Sequence, residues 1–120
     1  MNYKAFLLFL CTILYGDIHV FNRSAGTETE IKTLSNARPL YISAKDLARS
    51  FTSKIYENTE RKKIVIYISG VKVKISGNSS YIIIDENAYQ MPEITIVRQD
   101  DLYLPAEYFL NLLKYLFLLE

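Results

Sequence analysis

Hydrophobic and polar residues alternate with a period of two along most of the chain, and the period lengthens to that of a helix in two short stretches. Ile18 and Val20, with His19 and Phe21 between them, predict a first strand. The turn residues Asn22-Arg23-Ser24-Ala25-Gly26 follow, and alternation resumes from Thr29 to Leu34, with Ile31 opposing Glu30 and Lys32. This is a predicted hairpin. After a break at Ser35-Asn36-Ala37, Leu40-Tyr41-Ile42 reads as a short strand. Ser43 with Asp46 three residues on resembles a capping box, and Ala44, Leu47, Ala48 and Phe51 recur at helical spacing, which predicts a helix from Ala44 to about Ser53.

The clearest strands come next. In Lys63 to Ser69, Ile64, Ile66 and Ile68 face one way. In Val71 to Ser76, Val71, Val73 and Ile75 face away from Lys72 and Lys74. Gly70 permits a tight turn or a bulge between them. Gly77-Asn78-Ser79-Ser80 reads as a hairpin turn, and Tyr81 to Asp85 as the next strand. Residues 87–97 pair or loop around a break at Pro92. Asp100-Asp101 makes a turn, Leu102-Tyr103-Leu104 a short strand, and Pro105 opens the last helix, where its missing N–H costs nothing. The stretch KIYENTERKKIVIYI, residues 54–68, reads as an acidic-polar linker that runs into the strand from Lys63.

The amino terminus stands apart from this pattern. Residues 5–15 (AFLLFLCTILY) form an apolar run behind Lys4 and end at Gly16. A bilayer span takes about 20 apolar residues, whereas a secretory signal core takes about 7–15. Residues 1–16 are therefore read as a signal peptide. Leu14 is larger than the residue usual two places before a cleavage point, so an uncleaved short anchor is the competing reading. Cys11 follows Leu8-Phe9-Leu10; Phe9 and Leu10 are too bulky for lipoprotein processing, and the thiol acts as a small hydrophobe. Residues 17–120 then form one domain, with residues 17–35 as a lead-in hairpin. The expected location is exported: periplasm, cell envelope or extracellular space.

Composition narrows the chemistry. The chain has 120 residues, half of them hydrophobic and 22% charged, which favours one folded domain over disorder. Its net charge of +1 gives no long-range attraction to nucleic acid, and none is expected as a partner. One Cys excludes a disulfide framework, and with one His it excludes the usual structural zinc sites. A catalytic triad would have to use His19, which reads as an ordinary strand residue. Asp85-Glu86 and Asp100-Asp101 are adjacent carboxylates of the kind glycosidases and calcium sites use, but each falls at a predicted turn. Ser79 and Ser80 lack a nucleophile elbow. Arg61-Lys62-Lys63 reads as a solvated strand entry, and Asn22-Arg23-Ser24 and Asn78-Ser79-Ser80 match the glycosylation triplet. No catalytic residues, cofactor or metal ligands are assigned, and the chain is not read as an enzyme.

A repeat organises the rest. Leu40-Tyr41-Ile42-Ser43-Ala44-Lys45-Asp46-Leu47-Ala48 lies 62 residues before Leu102-Tyr103-Leu104-Pro105-Ala106-Glu107-Tyr108-Phe109-Leu110. Each copy is Leu-Tyr, an aliphatic residue, a helix starter and an amphipathic helix that can pack back over a sheet. The expected fold is α+β: a small antiparallel sheet of short strands with two amphipathic helices from a duplicated strand-helix unit. In this order, "LYISAKDLARSF", "KIYENTERKKIVIYI", "VKVKISGNSSYIIID" and "MPEITIVRQDDLYLPAEYFLNLL" resemble the copper-amine-oxidase-like N-terminal domain, also called a stalk domain, over roughly Asn36 to Leu113. That family has a Tyr-Val-Pro-Leu-Arg-x-Leu-Ala pattern, strands with a short hairpin and a second Tyr-Val-Pro copy. Here Ser43 stands where the family favours Pro.

The resemblance implies a non-catalytic piece that does not hold the oxidase's copper. It also implies an exported stalk or interaction module of the cell envelope, a spacer or a cell-wall attachment. The alternative it carries is the amino-terminal fragment of a peptidoglycan N-acetylmuramoyl-L-alanine amidase without its catalytic domain. Ten Tyr and six Phe leave aromatic rings for binding. Tyr41 and Tyr103 are expected to be buried, and Tyr67 and Tyr89 are the candidate binding surface, for peptidoglycan or another envelope component. Tyr108 to Leu119 is apolar apart from Asn111 and Lys114, so the last helix is expected to dock on the sheet with one face and on a second copy, a membrane surface or another domain with the other.

Overall fold

A computed structural model describes residues 10–14, 17–22, 26–34, 39–51 and 54–118. Most of the apolar run before residue 10, residues 15–16, the turn at 23–25, the break at 35–37, Thr52, Ser53 and Leu119 lie outside the described residues.

The predicted hairpin forms from β2 (Asp17–Asn22) and β3 (Thr27–Ile31), which pair antiparallel from Ile18 opposite Ile31 to Asn22 opposite Thr27. Gly26 adopts φ +66° in their turn, a region glycine enters without Cβ strain. On the other side of β2 lies β1 (Leu10–Leu14), with Cys11 opposite Val20, so part of the stretch read as a signal peptide is the edge strand of a three-stranded sheet.

Beyond β3 the chain runs alongside the first repeat copy. The Leu34 N–H donates to the Tyr41 carbonyl (3.3 Å) and the Ser43 N–H to the Lys32 carbonyl (3.0 Å). The copy itself is β4 (Tyr41–Ser43) followed by α1 (Ala44–Ser50). This helix is shorter than the periodicity predicts. The Phe51 N–H turns back to the Ala48 carbonyl and the Ser50 hydroxyl to the Leu47 carbonyl (2.6 Å), closing the last turn tightly. The capping box closes by half: the Asp46 N–H donates to Ser43 Oγ (3.1 Å), but the Asp46 carboxylate accepts the Lys32 N–H (2.8 Å) instead of reaching back to Ser43.

The second copy is β11 (Asp101–Pro105) and α2 (Ala106–Leu118). Pro105 closes the strand rather than opening the helix, and Asp101 lies in the strand rather than in the turn before it. β11 sits between β10 (Ile96–Arg98) and β4, all antiparallel.

The remaining strands build a five-stranded antiparallel meander: β5 (Ile55–Asn58), β6 (Lys63–Ile68), β7 (Val71–Ser76), β8 (Tyr81–Ile84) and β9 (Asn87–Gln90). β5 replaces the expected linker. It is an edge strand with one half-buried residue, Ile55, followed by three exposed ones, so it carries little hydrophobic signal. The antiparallel α+β class therefore holds, with the strands distributed over three sheets rather than one.

One cluster of buried side chains joins these parts. Ile64, Ile66 and Ile68 of β6, Val73 and Ile75 of β7, and Ile82 and Ile84 of β8 meet Ile42 and Leu104 from the repeat strands. Leu47 and Ala48 of α1 and Phe109 and Leu113 of α2 close the cluster. Alternation places one face of the five-stranded sheet on this core and leaves the other in solvent.

Candidate functional site

Several of the polar residues singled out by their chemistry have structural partners. His19 Nδ1 lies 3.1 Å from Glu28 Oε2 and its Nε2 4.0 Å from Glu30 Oε2, across β2 and β3, with no nucleophile in that set. Asp85 and Glu86 are the β8–β9 turn, both at positive φ (+46° and +72°). The Asp85 carboxylate accepts the Lys72 N–H (3.1 Å), so it ties the turn to β7. Asp101 accepts a hydrogen bond from the Ser43 hydroxyl and from the Lys45 and Leu102 N–H groups (3.2 and 2.8 Å). Ser79 Oγ accepts the Tyr81 N–H (3.1 Å), and Asn58 Oδ1 the Arg61 N–H (3.1 Å). From Asp85 to Asn58, these side chains hold turns and strand ends in place.

Asp46 is 3% exposed and the most buried charge described. Its carboxylate takes the Lys32 N–H and pairs with Arg49 on the same helix and with Lys32 Nζ (3.9 Å). Lys32 and Arg49 border a depression of about 380 Å³ beside Lys45, Arg98 and Tyr103. Lys45 is held by Glu57 at 3.0 Å, so most of the charge around this depression is internally balanced. Among the described residues no group of three or more His, Cys, Asp or Glu is placed to hold a metal ion.

The repeat tyrosines are buried. Tyr41 donates its hydroxyl to the Ile94 carbonyl (2.8 Å), and burial, reinforced by the Glu93 carboxylate, raises its phenol above the ordinary value of 10.0. Tyr103 is raised likewise by burial and then by Asp101. Both rings are largely covered, and only an edge of Tyr103 reaches the depression beside Arg49.

The solvent face of the five-stranded sheet is different. Register aligns Tyr56, Val65, Lys74, Ile83 and Ala88 in one row across β5 to β9, and Tyr67 with Lys72 in the next. Tyr56 is 54% exposed and Tyr67 37%, and their rings meet edge to face with centroids 6.2 Å apart. Tyr81, 52% exposed, stands on the same face opposite Gln90. Next to Tyr67, a shallow depression of about 330 Å³ is lined by Lys72, Lys74, Ile83, Asp85 and Glu86.

Of the two sequence candidates, Tyr67 belongs to this face. Tyr89 does not: it lies opposite the buried Ile82, half-buried and packed against the core. Tyr56 is hidden from sequence reasoning because its strand reads as linker. A signal exists in the aliphatic-aromatic pair Ile55-Tyr56 just before the turn residues Asn58-Thr59.

On α2, Phe109, Leu112 and Leu113 are buried, while Glu107, Asn111 and Lys114 are exposed together with Tyr115. The Tyr108 hydroxyl donates to the Gln90 carbonyl (2.8 Å), fastening the helix to β9. The exposed side of the helix thus carries Glu107, Asn111 and Lys114 together with the Tyr115 ring, which is 59% exposed. No described helix is long and apolar enough to cross a membrane.

A duplicated strand-helix unit stands beside an antiparallel meander, and Asp46, Asp85, Asp101 and the lone imidazole are engaged within the fold. Together these define an α+β module built on a duplicated strand-helix unit. The family model of the copper amine oxidase N-terminal domain matches residues 22–117, and the chain belongs to that family. The match takes in β3 as well as both repeat copies. No curated protein and no solved structure matches the chain.

Proposed function

We propose that this protein is an exported module of the cell envelope that attaches to peptidoglycan, or acts as a spacer beside it, and performs no chemistry of its own. The observation that carries this reading is the solvent face of the five-stranded sheet. Tyr56 and Tyr67 brace each other there, beside Lys72 and Lys74 and away from the buried Asp46. Aromatic rings held rigidly on a strand lose little entropy on stacking against a sugar ring.

Export rests on residues 1–16, whose apolar run has the length of a signal core. Cleavage after Gly16 removes β1 and leaves the β2–β3 hairpin, which keeps its own full register. Cell fractionation with mass spectrometry of the recovered chain tests this directly. The reading expects a protein outside the cytoplasm beginning at Asp17; an intact cytoplasmic chain overturns it. Co-sedimentation with purified sacculi tests attachment. The wild-type chain is expected in the pellet and a Tyr56→Ala/Tyr67→Ala variant in the supernatant, and a wild-type chain left wholly in the supernatant contradicts it.

A further inference from the structure

The charges of this near-neutral chain are not evenly placed. On the solvent face of the five-stranded sheet the strands carry Lys63, Lys72 and Lys74 and no acidic residue. None of the three lysines has a carboxylate partner among the described residues, whereas Lys32, Lys45 and Arg49, outside this face, are paired. Asp85 and Glu86, in the β8–β9 turn, border the same depression as Lys72 and Lys74 at one end of the face, and the Asp85 carboxylate is engaged with the Lys72 N–H.

We propose that the ligand of this face is an anionic glycan, whose sugar rings stack on Tyr56 and Tyr67 while carboxylate or phosphate groups along it meet the ammonium groups of Lys72 and Lys74. Neighbouring strands are about 4.8 Å apart. The step from Tyr56 to Lys74 crosses two such intervals, so a ring and a charge further along one extended polymer can be met together. A neutral sugar would leave the lysines unanswered, and a polyanion without rings would leave the tyrosines unanswered. Complementarity in both respects excludes a neutral sugar and an acidic peptide, and the attachment reading above selects a charged polysaccharide over single-stranded nucleic acid, which also offers rings and phosphates. The inference rests on the attachment reading above and adds the charge that the ligand must carry.

The test is titration of the full chain with five probes: an oligogalacturonate, a glycosylated polyglycerol phosphate, a neutral dextran oligomer, polyglutamate and an RNA oligomer. Binding to either of the first two, with dextran, polyglutamate and the RNA oligomer at least about tenfold weaker, supports the proposal, and the tighter of the first two identifies carboxylate or phosphate as the partner. Raising salt from about 0.1 M to 1 M shortens the screening length from about 10 Å to 3 Å and is expected to abolish binding. Lys72→Glu/Lys74→Glu and Tyr56→Ala/Tyr67→Ala should each weaken it about tenfold or more at a temperature where thermal melting shows each variant still folded. Equal binding of dextran, equal binding of polyglutamate or of an RNA oligomer, or failure of both anionic glycans overturns the proposal. If Lys72→Glu/Lys74→Glu pellets with sacculi as wild type does, the charge requirement falls while attachment through the tyrosines stands.

Discussion

Ile42 faces Leu104 across the β4–β11 ladder, and these two residues occupy the same position in the two copies of the repeat, which lie 62 residues apart. The flanking pairs obey the same relation: Tyr41 faces Pro105 and Ser43 faces Tyr103, each the repeat equivalent of the other pair. The duplicated units thus meet around a local two-fold axis that passes between Ile42 and Leu104, both fully buried. A short strand that pairs with its own repeat lets each helix start at a matching edge of the same small sheet.

This axis is expected to be a point of high stability. Ile42→Ala and Leu104→Ala should each cost about 2–5 kcal/mol, because both delete buried branches that the surrounding sheet cannot refill. Because the two residues share one contact, the double variant should lose less than the sum by about 0.5 kcal/mol or more. Denaturant unfolding of the four proteins measures this; additive losses would show that the two residues do not act as a pair.

Ser43 explains why the first copy departs from the family's Pro. Its N–H binds the Lys32 carbonyl, its hydroxyl accepts the Asp46 N–H, and the same hydroxyl donates to Asp101. Its counterpart in the second copy, Pro105, has no N–H to place. Ser43→Ala should cost about 1 kcal/mol through the lost cap. Ser43→Pro should cost about 1 kcal/mol more, because the Lys32 carbonyl then loses its donor as well. A Ser43→Pro variant as stable as wild type would remove this account.

Gly77 is required by space. A Cβ there would stand 2.4 Å from Val97 Cγ2 and 3.2 Å from Leu102 Cδ2, and the first of these is closer than packed carbon atoms approach. Gly77→Ala should destabilise by about 1–3 kcal/mol, as overpacking does. Adding Val97→Ala frees the space and should recover much of the loss, which thermal melting of the single and double variants reads out.

Tyr41 and Tyr103 make the fold sensitive to alkali. Both phenols titrate above the ordinary value of 10.0 in the folded chain, through burial first and a nearby carboxylate second. The folded state therefore holds these protons after the unfolded state has released them. Their contribution is complete below pH 10.0 and is lost as the pH rises through the raised folded values. Stability should fall from about pH 10 upward, and Tyr41→Phe should flatten that fall while lowering neutral-pH stability by about 1 kcal/mol through the stranded Ile94 carbonyl. A pH series of denaturant midpoints decides it.

Strands with strict alternation are legible in the sequence. Lys63 to Ser69 and Val71 to Ser76 lie almost residue for residue on β6 and β7, because one face must be apolar and one solvated. β5 is not legible, since an edge strand with three exposed residues has no pattern to read. The end of α1 is hidden as well: Phe51 fits the helical period, but side-chain and backbone bonds to Leu47 and Ala48 stop the helix at Ser50. The assignment of strands to three sheets depends on long-range pairing, which no local period encodes. The site is half legible for the same reason. Tyr67 shares the parity of the polar positions in its own strand, whereas Tyr89 takes its face from the register that the Asp85-Glu86 turn imposes.

The central claim, that the outer face of the five-stranded sheet is where this protein meets the cell wall, is tested most directly by an amide NMR titration with soluble peptidoglycan fragments. The account predicts shifts confined to Tyr56, Val65, Tyr67, Lys72, Lys74 and Ile83, with α2 and the depression beside Arg49 unmoved. Shifts centred on Glu107, Asn111 and Tyr115 of α2, or none at saturating fragment, would contradict it.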